Sequence, residues 1–236
     1  MKRILSLILI VLFVFSLCSC GNNSEETTAT EETKTEIKNE YPNPSEKTWE
    51  KSGNNIGARY IFSLKEFTEK LNSALNKMNG DEKVKFDFSN WKILSEGLTD
   101  DNGILYDSYY YETDTIGYTC AVEKDSKKVM NIGCGCSYEM FTDTENDYQY
   151  SVLIMSALIA CVAGGYSVDD LEFMYNLFLD VTNNETAIYF KNGVYLVNYD
   201  NKEDSSVLFI VSCADDSIKT KWNLVDYENY PSTINK

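Results

Sequence analysis

Apolar residues recur at 64, 67, 71, 75 and 78, one face of a helix with about 3.6 residues per turn. The chain entering that face reads Phe62-Ser63-Leu64-Lys65-Glu66-Phe67. Ser63 is placed as N-cap, Glu66 as the reciprocal cap three positions on, and Phe62 and Phe67 as a hydrophobic staple across them. Asn79-Gly80 supplies the stop. Beyond it the period changes from helical to alternating. Residues 84–88, 91–94, 104–111, 116–123 and 129–135 read as strands, with Asp101-Asn102-Gly103 and Asp125-Ser126 as turns.

A second helix is expected from near Asn146 or Asp147. Residues 152–163 are apolar apart from Ser156 until Gly164-Gly165 ends the run. A helix apolar on every side must be covered on every side, so this one is expected to be the most buried. At about a dozen residues it is too short to cross a bilayer. Ser167-x-x-Asp170 caps a third helix to about Val181, and strands resume at 186–190, 194–199, 207–213 and 218–224. Strand meanders beside segregated helices define an α+β domain, an antiparallel sheet with about three helices on one face.

The two capped helices echo each other at an offset of 104 residues: Phe62/Tyr166, Ser63/Ser167, Glu66/Asp170, Phe67/Leu171 and Leu75/Leu179 match in kind. Val84/Ile188 and Phe86/Phe190 carry the echo into the following strand. It is read either as a duplicated helix-plus-meander unit or as the common pattern of any two capped amphipathic helices.

The start of the chain follows another logic. Met1-Lys2-Arg3 is basic, and residues 4–17 are apolar apart from Ser6 and Ser16. As a helix that run spans only about 21 Å, short of a hydrocarbon core of about 30 Å. A basic start and a short apolar stretch are the marks of an export signal. Leu17-Cys18-Ser19-Cys20-Gly21 follows directly and resembles the lipobox of bacterial lipoproteins, with Cys18 at a position that usually holds Ala, Ser, Thr or Val. The resemblance implies cleavage after residue 19, a lipid on Cys20, and a location on the outer face of the bacterial cytoplasmic membrane. Residues 20–58 are then expected to be a disordered acidic tether. Between 21 and 40 only Ala29 and Ile37 are apolar, too little to offset the entropy of ordering. Residues 59–236 would form the single domain.

Composition narrows the chemistry. Lys2 and Arg3 lie in the signal and no acid does, so the remainder is more negative than the formal −16 of the whole chain. Such a surface lacks the cations that nucleic acid requires. There is no histidine. Ser–His and Cys–His nucleophile pairs are thereby excluded, as are histidine-ligated zinc and copper centres. Five cysteines follow Cys20: Cys120, Cys134, Cys136, Cys161 and Cys213. Cys134 and Cys136 form C-x-C on one face of a strand, outside the redox C-x-x-C pattern; buried thiols and a disulfide among Cys120, Cys134, Cys136 and Cys213 both remain open.

Asp100, Asn102 and Asp107 match a calcium loop at only two ligand positions and read as a hairpin turn. Asp143, Glu145 and Asp147 fit a helix N-terminus. No metal or cofactor is expected. Tyrosine is abundant, and Tyr109, Tyr111 and Tyr118 are the candidate binding surface, able to stack on sugar rings or meet a protein; the competing reading is a sheet face filled beneath helices. The expected function is therefore a membrane-anchored, non-enzymatic binding domain with an unknown protein or glycan partner. A carboxylate-dependent enzyme acting on wall or envelope polymers is the alternative. Fractionating cells that make Cys20→Ala checks the anchor: the variant is expected to leave the membrane fraction and lose its acyl label.

Overall fold

The computed structural model describes residues 42–52, 57–79, 85–100, 102–184, 187–190, 193–200, 206–213 and 225–226. These belong to a compact unit spanning Pro42–Lys236. The signal, Cys20 and the tether to residue 41 lie outside the described residues, as does the strand expected at 218–224.

The domain begins earlier than Arg59. Strands β1 (Trp49–Lys51) and β2 (Ala58–Tyr60) form an antiparallel pair. Thr48 and Ser52 are buried, and the Ser45 N–H and hydroxyl both donate to the Gly165 carbonyl at 2.8 Å. Polar composition hid this segment, because backbone pairing and short hydroxyl side chains hold it rather than an apolar face. Arg59 donates to Glu50 at 3.0 Å and also to Glu123, while Lys128 reaches Glu50 at 2.7 Å. Together they tie this hairpin to the main sheet. The hydrogen bonds from Lys128 and Arg59 hold the Glu50 carboxyl below its ordinary pKa.

Helix α1 (Leu64–Asn79) starts as its caps dictate. The Ser63 N–H donates to the Glu66 carboxylate at 2.7 Å, the Glu66 N–H donates to the Ser63 hydroxyl at 3.3 Å, and the Phe62 and Phe67 rings stack at 5.8 Å. The segment expected to follow as a strand at 84–88 does not form one. Residues 85–87 are irregular and Phe88–Asn90 is a 3₁₀ turn capped by Asp87. The Asn72 side chain bonds both the N–H and the C=O of Phe86, so the backbone pairs that a strand would have used are already taken.

Strands β3 (Lys92–Thr99), β4 (Leu105–Glu112), β5 (Gly117–Glu123) and β6 (Val129–Ser137) run as a meander. Helices α2 (Tyr138–Thr142), α3 (Tyr148–Gly164) and α4 (Leu171–Asn184) follow, then β7 (Ala187–Phe190), β8 (Gly193–Asp200), β9 (Ser206–Ser212) and the short β10 (Val225–Asp226). The eight strands from β3 to β10 form one sheet in the order β10-β7-β8-β9-β6-β5-β4-β3, antiparallel except for β10 beside β7. The fold is α+β, with the helices on one face.

Helix α3 is the centre of the core. Every residue from 151 to 161 is buried, and Leu158 is fully enclosed. It lies on β6 and β9 and is flanked by α1 and α4. Gly165 ends it with φ +74°, and a Cβ there would stand 2.8 Å from the Glu46 carbonyl. None of the described helices is long and apolar enough to cross a membrane.

Each half of the domain contains a capped helix followed by a meander, and the strands that end the two meanders, β6 and β9, pair antiparallel at the sheet's middle, with β10 returning to the far edge beside β7. The 104-residue echo holds at the helix starts, where Ser167 and Asp170 form a second capping box. It does not extend into the strands as expected. Phe86 is irregular where Phe190 lies in β7, and Val84 is outside the described residues. Truncating Leu158 to Ala is expected to lower unfolding free energy by about 2–5 kcal/mol, measured by denaturant titration.

Candidate functional site

In β4 alternate side chains take opposite faces of the sheet, which separates the neighbouring tyrosines. Tyr111 points to the helix side, where it meets Phe86 at 5.1 Å, Trp91 at 5.6 Å and Tyr118 at 5.9 Å between ring centroids. Tyr118 is only 4 % exposed and also meets Phe86 edge-on. Burial pushes its phenol well above the ordinary tyrosine range. Tyr118 is thus packed into the core, though it also lines the groove at this end of the sheet. Tyr109, half-buried, pairs in register with Ile93 and Cys120 on the same side of the sheet. Register places Tyr109, Tyr111 and Tyr118 on the same face of the sheet, with Tyr111 and Tyr118 packed in the aromatic cluster.

Tyr110 lies on the other face of the sheet, where the ammonium of its β3 neighbour Lys92 stands 5.8 Å from its ring centroid. Register places Glu112, Gly117, Gly135 and Leu208 in one row across β4, β5, β6 and β9 on that face. The next row is Tyr110, Thr119, Gly133 and Ile210. The glycines leave the middle strands nearly bare. At Gly135 the reason is close approach, since a Cβ would fall 2.0 Å from the Val207 carbonyl. Gly117 is different: a Cβ there meets nothing nearer than the Gly135 carbonyl at 4.0 Å.

At this end of the sheet the turn between β4 and β5, the start of α2 and the first residues of β9 surround a groove of about 590 Å³. Tyr110, Tyr111, Thr115, Gly117, Thr119, Cys136, Met140, Ser206 and Leu208 are among its lining. Among the described residues no lysine or arginine lines it, and two carboxylates, Glu112 and Asp114, are exposed at the rim. The hydroxyl of Thr113 is engaged in its own turn with Ile116, and that of Ser137 caps α2 at Met140. Thr115, Thr119 and Ser206 make no side-chain hydrogen bond from their hydroxyls among the described residues. Sequence reasoning missed Tyr110 and Gly117; the available signal was the alternation of Tyr109-Tyr110-Tyr111 together with glycines on facing strands.

The other candidate residues have local tasks. Asp100 accepts the N–H groups of Asn102 and Ile104, each at 2.8 Å, as a turn residue does. Asp107 takes the Gly97 N–H at 3.0 Å and pairs with Lys124 at 3.7 Å, so it faces away from that turn. Asp101 lies outside the described residues. Asp143 accepts from the Glu145 N–H and the Asn146 amide. A smaller cavity of about 170 Å³ lies beside Asp100, Asn102, Tyr106 and Ser212.

The outer edge strand β3 exposes Ile93, Leu94 and Leu98, with Phe88 and Leu105 beside them. Two bulges interrupt its pairing with β4, and Gly97 takes φ +65°. Bulges and the charges of Lys92 and Glu96 are the means by which an edge strand resists pairing with another sheet.

Cys120, Cys134, Cys136, Cys161 and Cys213 are all free thiols, and only Cys136 is less than fully buried. Cys134 lies 3.0 Å from the Ser156 hydroxyl beneath α3. Burial raises every one of the shifted thiols, Cys136 to about 11 and Cys134 and Cys161 to about 12.

Compared with protein-family models, with curated proteins and with solved structures, the chain matches none.

Maleimide titration of the full chain at pH 8 without reductant is expected to label Cys136 slowly and the other four only after denaturation. Recovering fewer than five thiols from Cys120 onward in denaturant would reveal a disulfide.

Proposed function

We propose that this chain is a lipoprotein anchored through Cys20 to the outer face of the bacterial cytoplasmic membrane, and that its α+β domain binds a partner instead of catalysing a reaction. The groove beside Tyr110 is the observation that carries the reading. It is formed by a rigid sheet end, it offers aromatic rings and uncommitted hydroxyls, and its carboxylates are exposed at the rim. Hydrolysis by carboxylates needs two acids facing each other across a bond, with the environment of one raising its pKa. The deeper carboxylates of the sheet, Asp107 and Glu123, are occupied by Lys124 and Arg59.

The anchor supports the same reading. A domain held at the envelope by its first mature residue works at high local concentration against partners fixed nearby. The acidic surface keeps it soluble and off an anionic leaflet.

The test compares wild type with Glu112→Gln/Asp114→Asn, using the detergent-purified full chain and isolated cell envelopes stripped of membrane and kept in detergent, so that the lipid on Cys20 does not itself hold the protein. Retention on envelopes is expected in both, within about threefold of each other, with no soluble fragments released. Release of fragments by wild type that the double variant abolishes would overturn the binding reading in favour of an enzyme.

A further inference from the structure

We infer that the groove at the β4–β5 end of the sheet is a site for a neutral saccharide chain. The inference deepens the binding-domain reading and rests on it.

Charge sets the first limit. Among the described residues no lysine or arginine lines the groove, Lys92 standing 5.8 Å over the Tyr110 ring on its β3 side, while Glu112 and Asp114 stand at its mouth in a chain of formal charge −16. A phosphate, sulfate or uronate entering it would be desolvated without a partner and repelled at the rim. Both rim carboxylates are exposed, so their attraction for a cation is screened by solvent.

Polarity sets the second. A purely apolar ligand would strand the hydroxyls of Thr115, Thr119 and Ser206, which the fold has not used among the described residues. Sugar hydroxyls both donate and accept, so they can satisfy these groups and the backbone exposed between them. The C–H faces of a pyranose ring need an aromatic platform, and Tyr110 stands on the same open face of the sheet as Thr119.

Shape sets the third. The walls on β4 and β9 are three strand spacings apart, about 14 Å. Between them Gly117 and Gly135 keep the floor at backbone level. A flat ring can therefore lie against the sheet instead of standing on side chains.

Gly117 also supplies the probe, because a larger side chain there enters the groove without meeting a neighbour. The full chain in detergent is titrated with fluorescein-labelled maltohexaose, cellohexaose, mannohexaose and chitohexaose, and with oligogalacturonate and spermine as charged counterparts. At least one neutral oligosaccharide is expected to bind with Kd below about 1 mM, and Gly117→Leu and Tyr110→Ala each weaken it by about tenfold or more. The Gly117→Leu thermal midpoint is expected to stay near wild type; if that variant misfolds, Tyr110→Ala alone decides. The saccharide class is overturned if no neutral probe binds at about 10 mM, if a charged probe binds more tightly, or if both variants bind as wild type does. Envelope retention by the same variants separates the two levels of the argument. Loss of retention without saccharide binding, or retention that a protein or peptide competes away, overturns the saccharide alone. Unchanged retention in both variants overturns the groove as the binding site altogether.

Discussion

Helix α3 has no polar side to give to water. From Ser151 to Cys161 every side chain is buried, and the two hydroxyls in that run are satisfied within the helix, Ser151 by the Asp147 carbonyl and Ser156 by the Val152 carbonyl. Such a helix can exist in an aqueous domain only if other elements cover its whole circumference. The pair β6·β9 covers it from below, and α1 and α4 cover its flanks. Phe209 shows how tightly the parts are joined: it stands opposite Cys134 on the neighbouring strand and meets the rings of Phe141 and Phe178 from α2 and α4. The close packing of these layers makes the middle of the sheet rigid.

Covering α3 from one side has a consequence for the other. With the helices gathered on a single face, no helix among the described residues covers the opposite face of β4, β5, β6 and β9. On that face, between the charged ends Glu112 and Glu123, the central rows carry tyrosine, serine, threonine, alanine, asparagine, glycine, leucine and isoleucine, and no charge. The glycines of Gly133-Cys134-Gly135-Cys136 serve the pairing with β9. Their backbone allows β9 to come close, and the same approach fills the space their side chains would take, whereas at Gly117 that space is open. Cys134 between them points the other way, into the core, where burial raises its thiol to about 12 and keeps it protonated.

The elements with strong local chemistry were legible in the sequence. The capping boxes at Ser63 and Ser167, the staple of Phe62 and Phe67, the all-apolar run of α3 and the turn at Asp100 appear where their residues place them, because each is decided by neighbours within one or two turns. Three features were not legible. Residues 85–87 have strand-like alternation, but a side chain 14 residues back in sequence, Asn72, takes their hydrogen bonds. Residues 42–52 have tether-like composition, yet Thr48 and Ser52 are buried and Ser45 binds the end of α3. Tyr118 reads like its neighbours Tyr109 and Tyr111, but only the packing of Phe86 above it makes it core.

By itself the sequence determined the absence of histidine chemistry, the α+β class and the identity of the most buried helix. All of these are properties of composition or of contacts between near neighbours. Tertiary structure alone decided that β6 and β9 meet at the centre, which face of the sheet the helices leave open, and that Tyr110 joins Tyr111 and Tyr118, but not Tyr109, around the groove. Strand order and register join residues far apart in the chain, and a shift of one position would exchange the two faces of a strand. No local pattern carries that information, so the site became visible only when the strands were paired.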